Sequence, residues 1–433
     1  MAGEFTQPFP ASWQVCRLDE VATVIDSLHK TPTYTETGRP MVRVTDVRGG
    51  FLDVSKTLRV TEDVFQEFTR RYAPKRGDIV FSRVGSYGNA SFANTDIPFC
   101  LGQNTALLSP RINGRFLHLF LQSTHARWQI EQVAVGSTQK TISLKSISAL
   151  TIPIPPAEEL EAIAHILGTL DDKIELNRRM NQTLEAMARA LFKSWFVDFD
   201  PVRAKHTLSK VEGAEGRPLA SSGQAFPGLP KPLADPFPDS FEDSERGEIP
   251  KGWEVKKLGD LLKLAYGKAL KAEDRRDGNV PVYGSNGQVG WHDQRLVTGP
   301  GIVVGRKGNP GIATWVPTDF FPIDTTFYVV PKSNCRSLEF LFHVLRTHDL
   351  ASLGADSAVP GLNRNLAYMS DQLLPPARLL EQFECLTSGL SRRVNCGNEE
   401  TRALAAVRNS LLPKLISGEV RVNAAELISV AVM

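Results

Sequence analysis

The chain repeats itself after 220 residues, so its fold has to accommodate two similar halves. A Pro-Pro pair at positions 155 and 156 precedes a long helical pattern that ends near Phe196, and a second pair at positions 375 and 376 (375 − 155 = 220) precedes one that ends near Ile416. The apolar positions that keep this offset are Leu170 and Leu390, Leu184 and Leu404, and Leu191 and Leu411. A doubled body with doubled helices suits a partner that has two similar half-sites, as double-stranded DNA has.

Sequence blocks outside the helical patterns are also repeated. A Trp-x-Val-x-x-Leu alternation starts at Trp13 and again at Trp253, and it is typical of a strand with one buried face. A β-branched strand that leads into a glycine turn with an arginine occurs at residues 77–88 and again at 301–311. The order is therefore globule, helix, linker, globule, helix. Short strands mixed with a few helical pieces predict the α+β class for both globules.

The boundaries of the predicted globules, helices and linker follow from these repeated blocks. We predict a first globule at residues 1–155, a long helix at 156–199, a linker at 200–248, a second globule at 249–375, a second long helix at 376–418 and a tail at 419–433. The linker is rich in Pro, Gly and Ser, which favour an extended, polar chain.

Both helical patterns carry apolar residues at alternating steps of four and three, which predicts the seam of a coiled coil. The seam positions are Ile163, Leu167, Leu170, Ile174, Leu184, Leu191 and Trp195 in the first helix, and Phe383, Leu390, Val394, Leu404, Leu411 and Leu415 in the second. We expect the two helices to pair antiparallel as a shared spacer. The alternative is that each amphipathic helix covers only its own globule.

The middle of each seam is polar or small. Asn177 and Asn181 lie there in the first helix, and Gly397 and Thr401 lie there in the second. Antiparallel pairing would place these centres opposite each other, where polar side chains can fix the register of a helix pair. Arg408 is an exception among the otherwise apolar outer positions. Glycine costs about 1 kcal/mol inside a helix, so Gly397 argues against an uninterrupted second helix.

Composition narrows the class of protein further. The content of 42% hydrophobic and 23% charged residues is ordinary for a globular chain, and a net charge of +2 argues against a uniformly basic binder while allowing a local basic face. The five cysteines form no C-x-x-C pair, which predicts free thiols. Without a signal pattern or a run of 18 apolar residues, we expect a cytoplasmic protein that does not span a membrane.

Catalytic motifs are absent from the sequence. It contains no Walker A loop, no dinucleotide fingerprint, no zinc-hydrolase or deaminase pattern and no nucleophile elbow. We therefore expect a protein that is not an enzyme and holds no metal or cofactor of its own. The paired acids Asp171 and Asp172 fall inside the first long helix, where a solvated acidic face is the ordinary interpretation.

Two glycine turns of the second globule have side chains suited to nucleic acid. Residues 305–311 carry Arg306 and Lys307, and residues 281–288 carry Tyr283, Ser285 and Asn286. Basic side chains bind phosphates, and amide side chains can pair with base edges. The alternatives are a tight turn for the first segment and a type I′ hairpin for the second.

Several strings of the chain, taken together, resemble the specificity subunit of Type I restriction–modification systems. They lie at residues 192–202, 237–241, 247–253, 282–287, 305–308, 323–327 and 411–415, so the resemblance covers nearly the whole chain. It implies two target recognition domains that each read one part of a split DNA sequence, with two long antiparallel helices between them that set the gap.

The resemblance also implies partners. Two modification subunits would bind the helices, carry S-adenosylmethionine and methylate adenine N6, and ATP-dependent restriction subunits would join that core. The specificity subunit itself would do no chemistry, which agrees with the missing motifs.

Candidate DNA contacts follow from the glycine turns and from the loop before each long helix. They are Lys30, Arg43, Arg83, Gln139 and Lys140 in the first globule, and Tyr283, Ser285, Asn286, Arg306, Lys307, Asn363 and Arg364 in the second. One alternative is a regulator that binds a split site alone, without partner subunits. Another is a methyltransferase or nuclease with a divergent site, which would bind S-adenosylmethionine itself.

Overall fold

Residues 9–136, 140–215, 230–245, 247–353 and 361–422 are described by the computed structural model. The chain divides into unit 1, formed by Met1–Arg178 and Glu399–Met433, and unit 2, formed by Arg179–Asn398. Among the described residues, no helix is both long enough and apolar enough to cross a membrane.

Unit 1 combines short strands with short helices. Its strands are β1 (Gln14–Arg17), β2 (Ala22–Asp26), β3 (Arg39–Val42), β4 (Leu58–Val60), β5 (Ile79–Ser82), β6 (Ala90–Phe92), β7 (Cys100–Leu101), β8 (Thr105–Pro110) and β9 (Thr151–Ile154). Its helices are α1 (Leu18–Val21), α2 (Glu62–Thr69), α3 (Gly114–Leu121), α4 (Thr124–Val133) and α5 (Leu144–Ser148), and a 3₁₀ turn spans Val44–Asp46. The long helix α6 (Ala157–Phe196) begins in unit 1 and ends in unit 2.

Unit 2 has the same kinds of element. Its strands are β10 (Phe241–Ser244), β11 (Gly247–Pro250), β12 (Glu254–Lys257), β13 (Leu262–Tyr266), β14 (Val280–Gly284), β15 (Gly287–His292), β16 (Gly301–Gly305), β17 (Ala313–Val316), β18 (Phe321–Pro322), β19 (Thr326–Pro331) and β20 (Asp371–Leu374). Its helices are α7 (Asp200–Glu215), α8 (Lys231–Ala234), α9 (Leu258–Leu261), α10 (Leu338–Thr347), α11 (Arg364–Met369) and the start of the long helix α12 (Ala377–Ser417), with a 3₁₀ turn at Ala272–Asp274.

The two units share one sheet topology. The four-stranded order β2-β8-β5-β6 of unit 1 corresponds to β13-β19-β16-β17 of unit 2, β4-β3-β7 corresponds to β15-β14-β18, and the pair β1-β9 corresponds to β12-β20. In both units the three-stranded sheet contains one parallel pair, and the other pairings are antiparallel. The predicted mixture of α and β structure in two similar globules is therefore confirmed.

Each four-stranded sheet is buried on both faces because alternate side chains enter different cores. In β5, Ile79 and Phe81 join the core that packs on the long helices, while Val80 joins a second core on the other face. In β16, Ile302 and Val304 join one core and Val303 joins the other. The strands of both units therefore position their loops on a rigid double-sided sheet.

The long helices pack antiparallel within each unit. In unit 1, Lys173 pairs with Glu400 at 3.4 Å, and further along the helices Asp171 pairs with Arg408 at 3.5 Å. In unit 2, Asn181 Nδ2 donates to Asn398 Oδ1 at 2.9 Å, and Phe192 near the end of α6 packs on Phe383 near the start of α12. All the predicted seam positions are buried or half-buried.

Helix α12 is continuous through Gly397, contrary to what glycine at that position suggested. A Cβ placed on Gly397 would lie 2.5 Å from Asn181 Oδ1, so the glycine provides the space that the asparagine side chain occupies. Asn181 is itself buried. The helix-breaking tendency of Gly397 is outweighed by this packing.

The segment predicted as a linker contains ordered elements. Helix α7 starts it, and the antiparallel hairpin β10–β11 ends it. Val202 and Phe237 are buried in the main core of unit 2, where Phe237 packs edge-on against Trp195 with ring centroids 4.9 Å apart. Prolines indicated an extended chain, but these apolar side chains tie the segment to the unit.

The acidic pair of α6 is not simply a solvated face, so that interpretation was wrong for Asp171. Its side chain is only 16% exposed and pairs with Arg408, whereas that of Asp172 is 61% exposed and accepts a hydrogen bond from Arg115 at 2.9 Å. Arg115 also donates to the backbone oxygen of Gly168 at 2.6 Å. In unit 1, Asp171 therefore helps to hold the two long helices together, and Asp172 helps to attach α6 to the globule.

Candidate nucleic-acid interface

In unit 2 the fold brings the candidate residues of several distant segments together. Strand β13 lies beside β19, which lies beside β16, so the ends of β13 and β16 are close. Lys307, just after β16, forms a bridge with Gly361, and the backbone N–H of Leu362 donates to the oxygen of Arg306 at 2.9 Å. The glycine turn and the loop before α11 therefore form one surface.

Tyr266 lies between two arginines at the centre of this surface. The guanidinium carbons of Arg306 and Arg364 are each 4.9 Å from the centroid of its ring. The tyrosine is 50% exposed. Contacts of this kind contribute roughly 0.5–2 kcal/mol each and fix the orientation of the guanidinium planes.

The charges of both arginines are not neutralised by carboxylates. Arg306 Nη1 donates to the backbone oxygen of Asp324 at 2.9 Å, and within the described ranges neither Arg306 nor Arg364 forms an ion pair. The Nε of Arg364 is buried, and it has no hydrogen-bond partner among the described residues. Two fixed positive charges beside an exposed ring are suited to a phosphate backbone or a guanine edge.

The turn between β14 and β15 forms the adjoining part of the surface. Ser285 and Asn286 are its two central residues, and Asn286 Oδ1 accepts a hydrogen bond from Asn309 Nδ2 at 2.7 Å. A Cβ on Gly305 would lie 2.0 Å from the backbone oxygen of Asn309, so only glycine allows this loop to fold back. The structure thus joins two turns that the sequence separates by about 20 residues.

Two other candidates of unit 2 have structural roles. Tyr283 is buried and packs edge-on against Phe320, with ring centroids 6.2 Å apart, so it supports the turn from below. Asn363 caps α11, its Oδ1 accepting from the backbone N–H groups of Asn365 at 3.0 Å and Leu366 at 3.3 Å. A direct DNA contact by the ring of Tyr283 does not fit its burial.

In unit 1 the position equivalent to Arg306 is Arg83, but its surroundings differ. Both residues directly follow the equivalent strands β5 and β16, and each N–H donates to the loop before β8 or β19. Arg83 Nη1 donates to Asp26 Oδ1 at 2.5 Å, and Asp26 holds the place that Tyr266 holds in unit 2. Because the side chain of Arg83 is 17% exposed and its charge is paired, it does not offer the surface that Arg306 offers.

The three basic candidates that remain in unit 1 lie on separate segments, and each pairs with an acid. Lys30 pairs with Glu67 at 2.7 Å, Arg43 with Asp46 at 3.4 Å and Lys140 with Glu131 at 3.0 Å. The hydrogen bond that Lys140 donates to Glu131 raises the pKa of Lys140. Gln139 lies outside the described residues. These side chains remain candidates. The turn after β5 links two of their segments, because Ser86 Oγ donates to the backbone oxygen of Val44 at 3.4 Å and Val84 forms a bridge with Thr141.

Sequence reasoning missed Tyr266, Asn309 and Asp324 as parts of the site in unit 2. Tyr266 ends the alternation of β13, in which Leu262 and Leu264 are buried, and an aromatic residue that ends a buried alternation in an exposed position was the available signal. Asp324 contributes only its backbone oxygen, which no side-chain pattern could indicate.

Metal-binding side chains do not cluster in the part of the chain that the structure describes. Among the described residues there is no group of three or more His, Cys, Asp or Glu side chains placed to hold a metal ion. Cys100 and Cys335 are buried free thiols, and burial raises the pKa of each to about 12. They are therefore unreactive core residues.

Comparison with known families gives a consistent result. The family described as Type I restriction modification DNA specificity domain matches residues 10–186 and 250–364, about two thirds of the chain. The Type I restriction enzyme HindI specificity subunit of Haemophilus influenzae is 27% identical over 80% of this chain and 87% of its own length. The MjaIX specificity subunit of Methanocaldococcus jannaschii is 22% identical over 96% of this chain and 95% of its own.

A solved structure shares the fold. The crystal structure of a Type-I restriction-modification system S subunit from M. genitalium superposes with a TM-score of 0.57. Its sequence identity is 17%, and the match covers 95% of this chain and 98% of that one. At this identity the likeness concerns the fold alone.

Proposed function

The chain belongs to the family of Type I restriction modification DNA specificity proteins, and on that premise we propose that it reads a bipartite DNA sequence, one part with each unit. The observation that carries the proposal is the shared topology of the two units. Each presents the ends of the equivalent strands β5 or β16 and the loop before its long helix. Two copies of one architecture suit two half-sites.

The surface around Tyr266 supports DNA binding by unit 2. Arg306 and Arg364 supply positive charge, and Asn286, Asn309 and Ser285 supply small polar groups next to them. Arginine can grip phosphate or guanine bidentately, and amide groups can pair with adenine. In unit 1 Arg83 is paired with Asp26, so we propose that Lys30, Arg43, Gln139 and Lys140 make the main contacts there.

We assign α6 and α12 the role of a coiled-coil spacer that fixes the distance between the half-sites. The buried seam and the polar centre around Asn181 and Gly397 support a fixed register. The two helices would also bind the modification subunits. Met187 of unit 2 and Val407 of unit 1 are equivalent at the offset of 220, and both side chains are about half exposed, which suits two identical partners.

In this proposal the chain recognises DNA and does not catalyse. S-adenosylmethionine would bind to the modification subunits, which methylate adenine N6, and ATP would bind to the restriction subunits. This chain's own residues would position those subunits on the DNA. The absence of known catalytic motifs from its sequence agrees with that division of labour.

The test is a methylation map. The chain is co-expressed with its modification subunits, and methylated adenines are located genome-wide with and without it. We expect methylation at a split sequence that disappears when the chain is removed. A double variant, Arg306→Ala with Arg364→Ala, should relax or abolish recognition of one half of that sequence only.

The matched control is Arg295→Ala, which removes an exposed arginine of the same unit that pairs with Asp319 at 2.6 Å. It should leave the methylation map unchanged, because exposed ion pairs contribute little. An identical map for the double variant would contradict the role of the Tyr266 surface. Tight, specific binding by the purified chain alone would instead favour a stand-alone regulator.

A further inference from the structure

Among the positions at which the two halves of the repeat differ is a pair where the long helices face each other. In unit 1 these are Asp171 of α6 and Arg408 of α12. At the offset of 220, the equivalent residues of unit 2 are Ser391 of α12 and Ala188 of α6. An acid and a base in one unit thus correspond to two small side chains in the other.

In unit 1 the guanidinium of Arg408 occupies the space between helices and globule. Its Nε lies 3.5 Å from Asp171 Oδ1, and its Nη1 donates to Gln122 Oε1, at the end of α3, at 3.1 Å. Burial raises the pKa of Asp171, and the attraction of Arg408 opposes that rise. The chain therefore fills this position of unit 1 with its own cation.

In unit 2 the equivalent position is a cavity of about 320 Å³. Its lining includes Ala188 and Ser391, two rings and a buried acid: Trp315, Phe342 and Glu339. Trp315 and Phe342 pack edge-on with ring centroids 5.7 Å apart. Arg346 also lines the cavity and lies over Phe342, with its guanidinium carbon 5.3 Å from the ring centroid, so these walls already accept one planar cation of the chain itself. Flat aromatic walls around a cavity with a carboxyl group suit a planar cation.

Glu339 provides an acid without a cation. The residue is 2% exposed, and its Oε1 has no hydrogen-bond partner among the described residues. The other titratable groups around the cavity are Glu185 and Arg189 on α6, Glu384 on α12, and His343 and Arg346 on α10, the helix that carries Glu339. An uncompensated buried carboxylate is costly, and desolvation accordingly raises the pKa of Glu339 to about 7.

We propose that this cavity of unit 2 binds a guanidinium group, with Glu339 as its carboxylate partner and the rings of Trp315 and Phe342 as its walls. The group would come from a small molecule or from an arginine side chain of another protein. It would occupy the place that the guanidinium of Arg408 occupies in unit 1. Ser391 hydrogen-bonds to the Glu339 carboxylate, and a planar cation with several donors can satisfy the carboxylate oxygen that this bond leaves free.

The experiment measures binding of n-propylguanidinium, the arginine side chain as a free molecule, to the full chain by saturation-transfer NMR. We expect saturable binding with a dissociation constant on the order of millimolar, as for a fragment of this size. Glu339→Gln, which keeps the shape but removes the charge, should weaken binding at least tenfold. The tripeptide Gly-Arg-Gly forms a second arm: binding of both probes assigns the cavity to side chains, and binding of the small probe alone assigns it to a free molecule.

The decisive variant is Ala188→Arg, which gives unit 2 the residue that unit 1 has. It should abolish probe binding by filling the cavity internally. Ala190→Arg, the same change on an exposed position two residues further along α6, should leave binding intact. Circular dichroism verifies that each variant is folded. If Ala188→Arg does not fold, the loss of probe binding in Glu339→Gln tests the proposal.

Proton linkage provides an independent check. Because the pKa of Glu339 is raised to about 7, binding of a cation requires loss of its proton, so affinity should be roughly tenfold weaker at pH 6 than at pH 8. Glu339→Gln should remove this dependence. Failure of the wild-type chain to bind either probe, or equal binding by wild type, Glu339→Gln and Ala188→Arg, would overturn the proposal and leave a cavity filled by water.

Discussion

Arg83 and Arg306 occupy equivalent positions in the two units, yet Arg83 donates to the carboxylate of Asp26 while Arg306 lies over the ring of Tyr266. One arginine is thus committed to the interior of its unit, and the other presents its charge at the surface. The difference arises from the last residue of β2 or β13, the strand on the far side of β8 or β19, and it makes the two arginines a matched pair for experiment.

Arg306→Ala should weaken DNA binding by the assembled complex without preventing assembly. Loss of a bidentate base contact costs about 1–3 kcal/mol and relaxes specificity at one position, whereas loss of a phosphate contact reduces the salt dependence by about one ion. A gel-shift titration at several salt concentrations separates the two cases. Unchanged affinity at every salt concentration would remove Arg306 from the interface.

Arg83→Ala should act on stability instead. It leaves the largely buried carboxylate of Asp26 with only its contact to His29, which we expect to cost about 2 kcal/mol of the free energy of unfolding. Denaturant unfolding measures the loss, and Asp26→Asn in the same chain should restore part of it. If Arg83→Ala lowers DNA affinity while the midpoint of unfolding stays constant, the arginine contacts DNA after all.

Tyr266 should contribute through its ring and not through its hydroxyl. Tyr266→Phe keeps the surface against which Arg306 and Arg364 lie, so DNA affinity should stay within about twofold, while Tyr266→Ala frees both guanidiniums and should weaken binding by about tenfold. The same titration tests both variants. Equal losses in the two would show that the hydroxyl, and not the stacking, is what matters.

Gly397 and Gly389 provide a comparison within one helix. A Cβ on Gly389 meets nothing within 4 Å, so Gly389→Ala should stabilise the chain by about 0.5–1 kcal/mol through helix propensity. Gly397→Ala collides with Asn181 and should be at least about 1 kcal/mol less stable than Gly389→Ala. When Asn181→Ala is added to Gly397→Ala, the stabilisation from helix propensity should return. The midpoints of denaturant unfolding measure these differences. Equal stabilisation by both single variants would show that the helices do not approach closely at Gly397.

Glu339 should make stability depend on pH. Its pKa is raised from 4.5 to about 7, so its contribution to stability is complete below pH 4.5 and is lost as pH rises through 7. Glu339→Gln cannot titrate, so its advantage over wild type should grow between pH 5 and pH 8 by on the order of 2 kcal/mol.

His343, whose pKa is lowered to about 4 by burial, acts in the opposite direction. Its contribution is present in both proteins and cancels in the difference between Glu339→Gln and wild type. Thermal unfolding of the two proteins at pH 5 and pH 8 therefore isolates Glu339. A difference that is the same at both pH values would show that Glu339 is ionised throughout.

The repeated pattern in the sequence indicated much of this architecture. Each Pro-Pro pair stands directly before a long helix, because proline cannot continue a strand ladder and favours the first turn of a helix. Apolar spacing identified the buried stripe of both helices. These features depend on local chemistry, which a single sequence displays.

Contacts between distant residues could not be predicted in the same way. Arg408 was an exception in its seam until the structure placed it beside Asp171 and Gln122, which lie more than 200 residues away in sequence. Arg83 and Arg306 likewise occur in similar glycine turns, and only the strand pairing shows which one meets an acid and which meets a ring. The apolar anchors of the predicted linker were overlooked because prolines dominate its composition.

In each unit a strand at the start of the repeated sheet topology is hydrogen-bonded to the strand that ends it. In unit 1, β1 pairs with β9, and in unit 2, β12 pairs with β20, immediately before the long helix begins. The chain therefore enters and leaves each globule at the same point. Recombination that exchanged one such cassette for another would leave its attachment to the helix unchanged, so DNA specificity could change while the long helices stay the same.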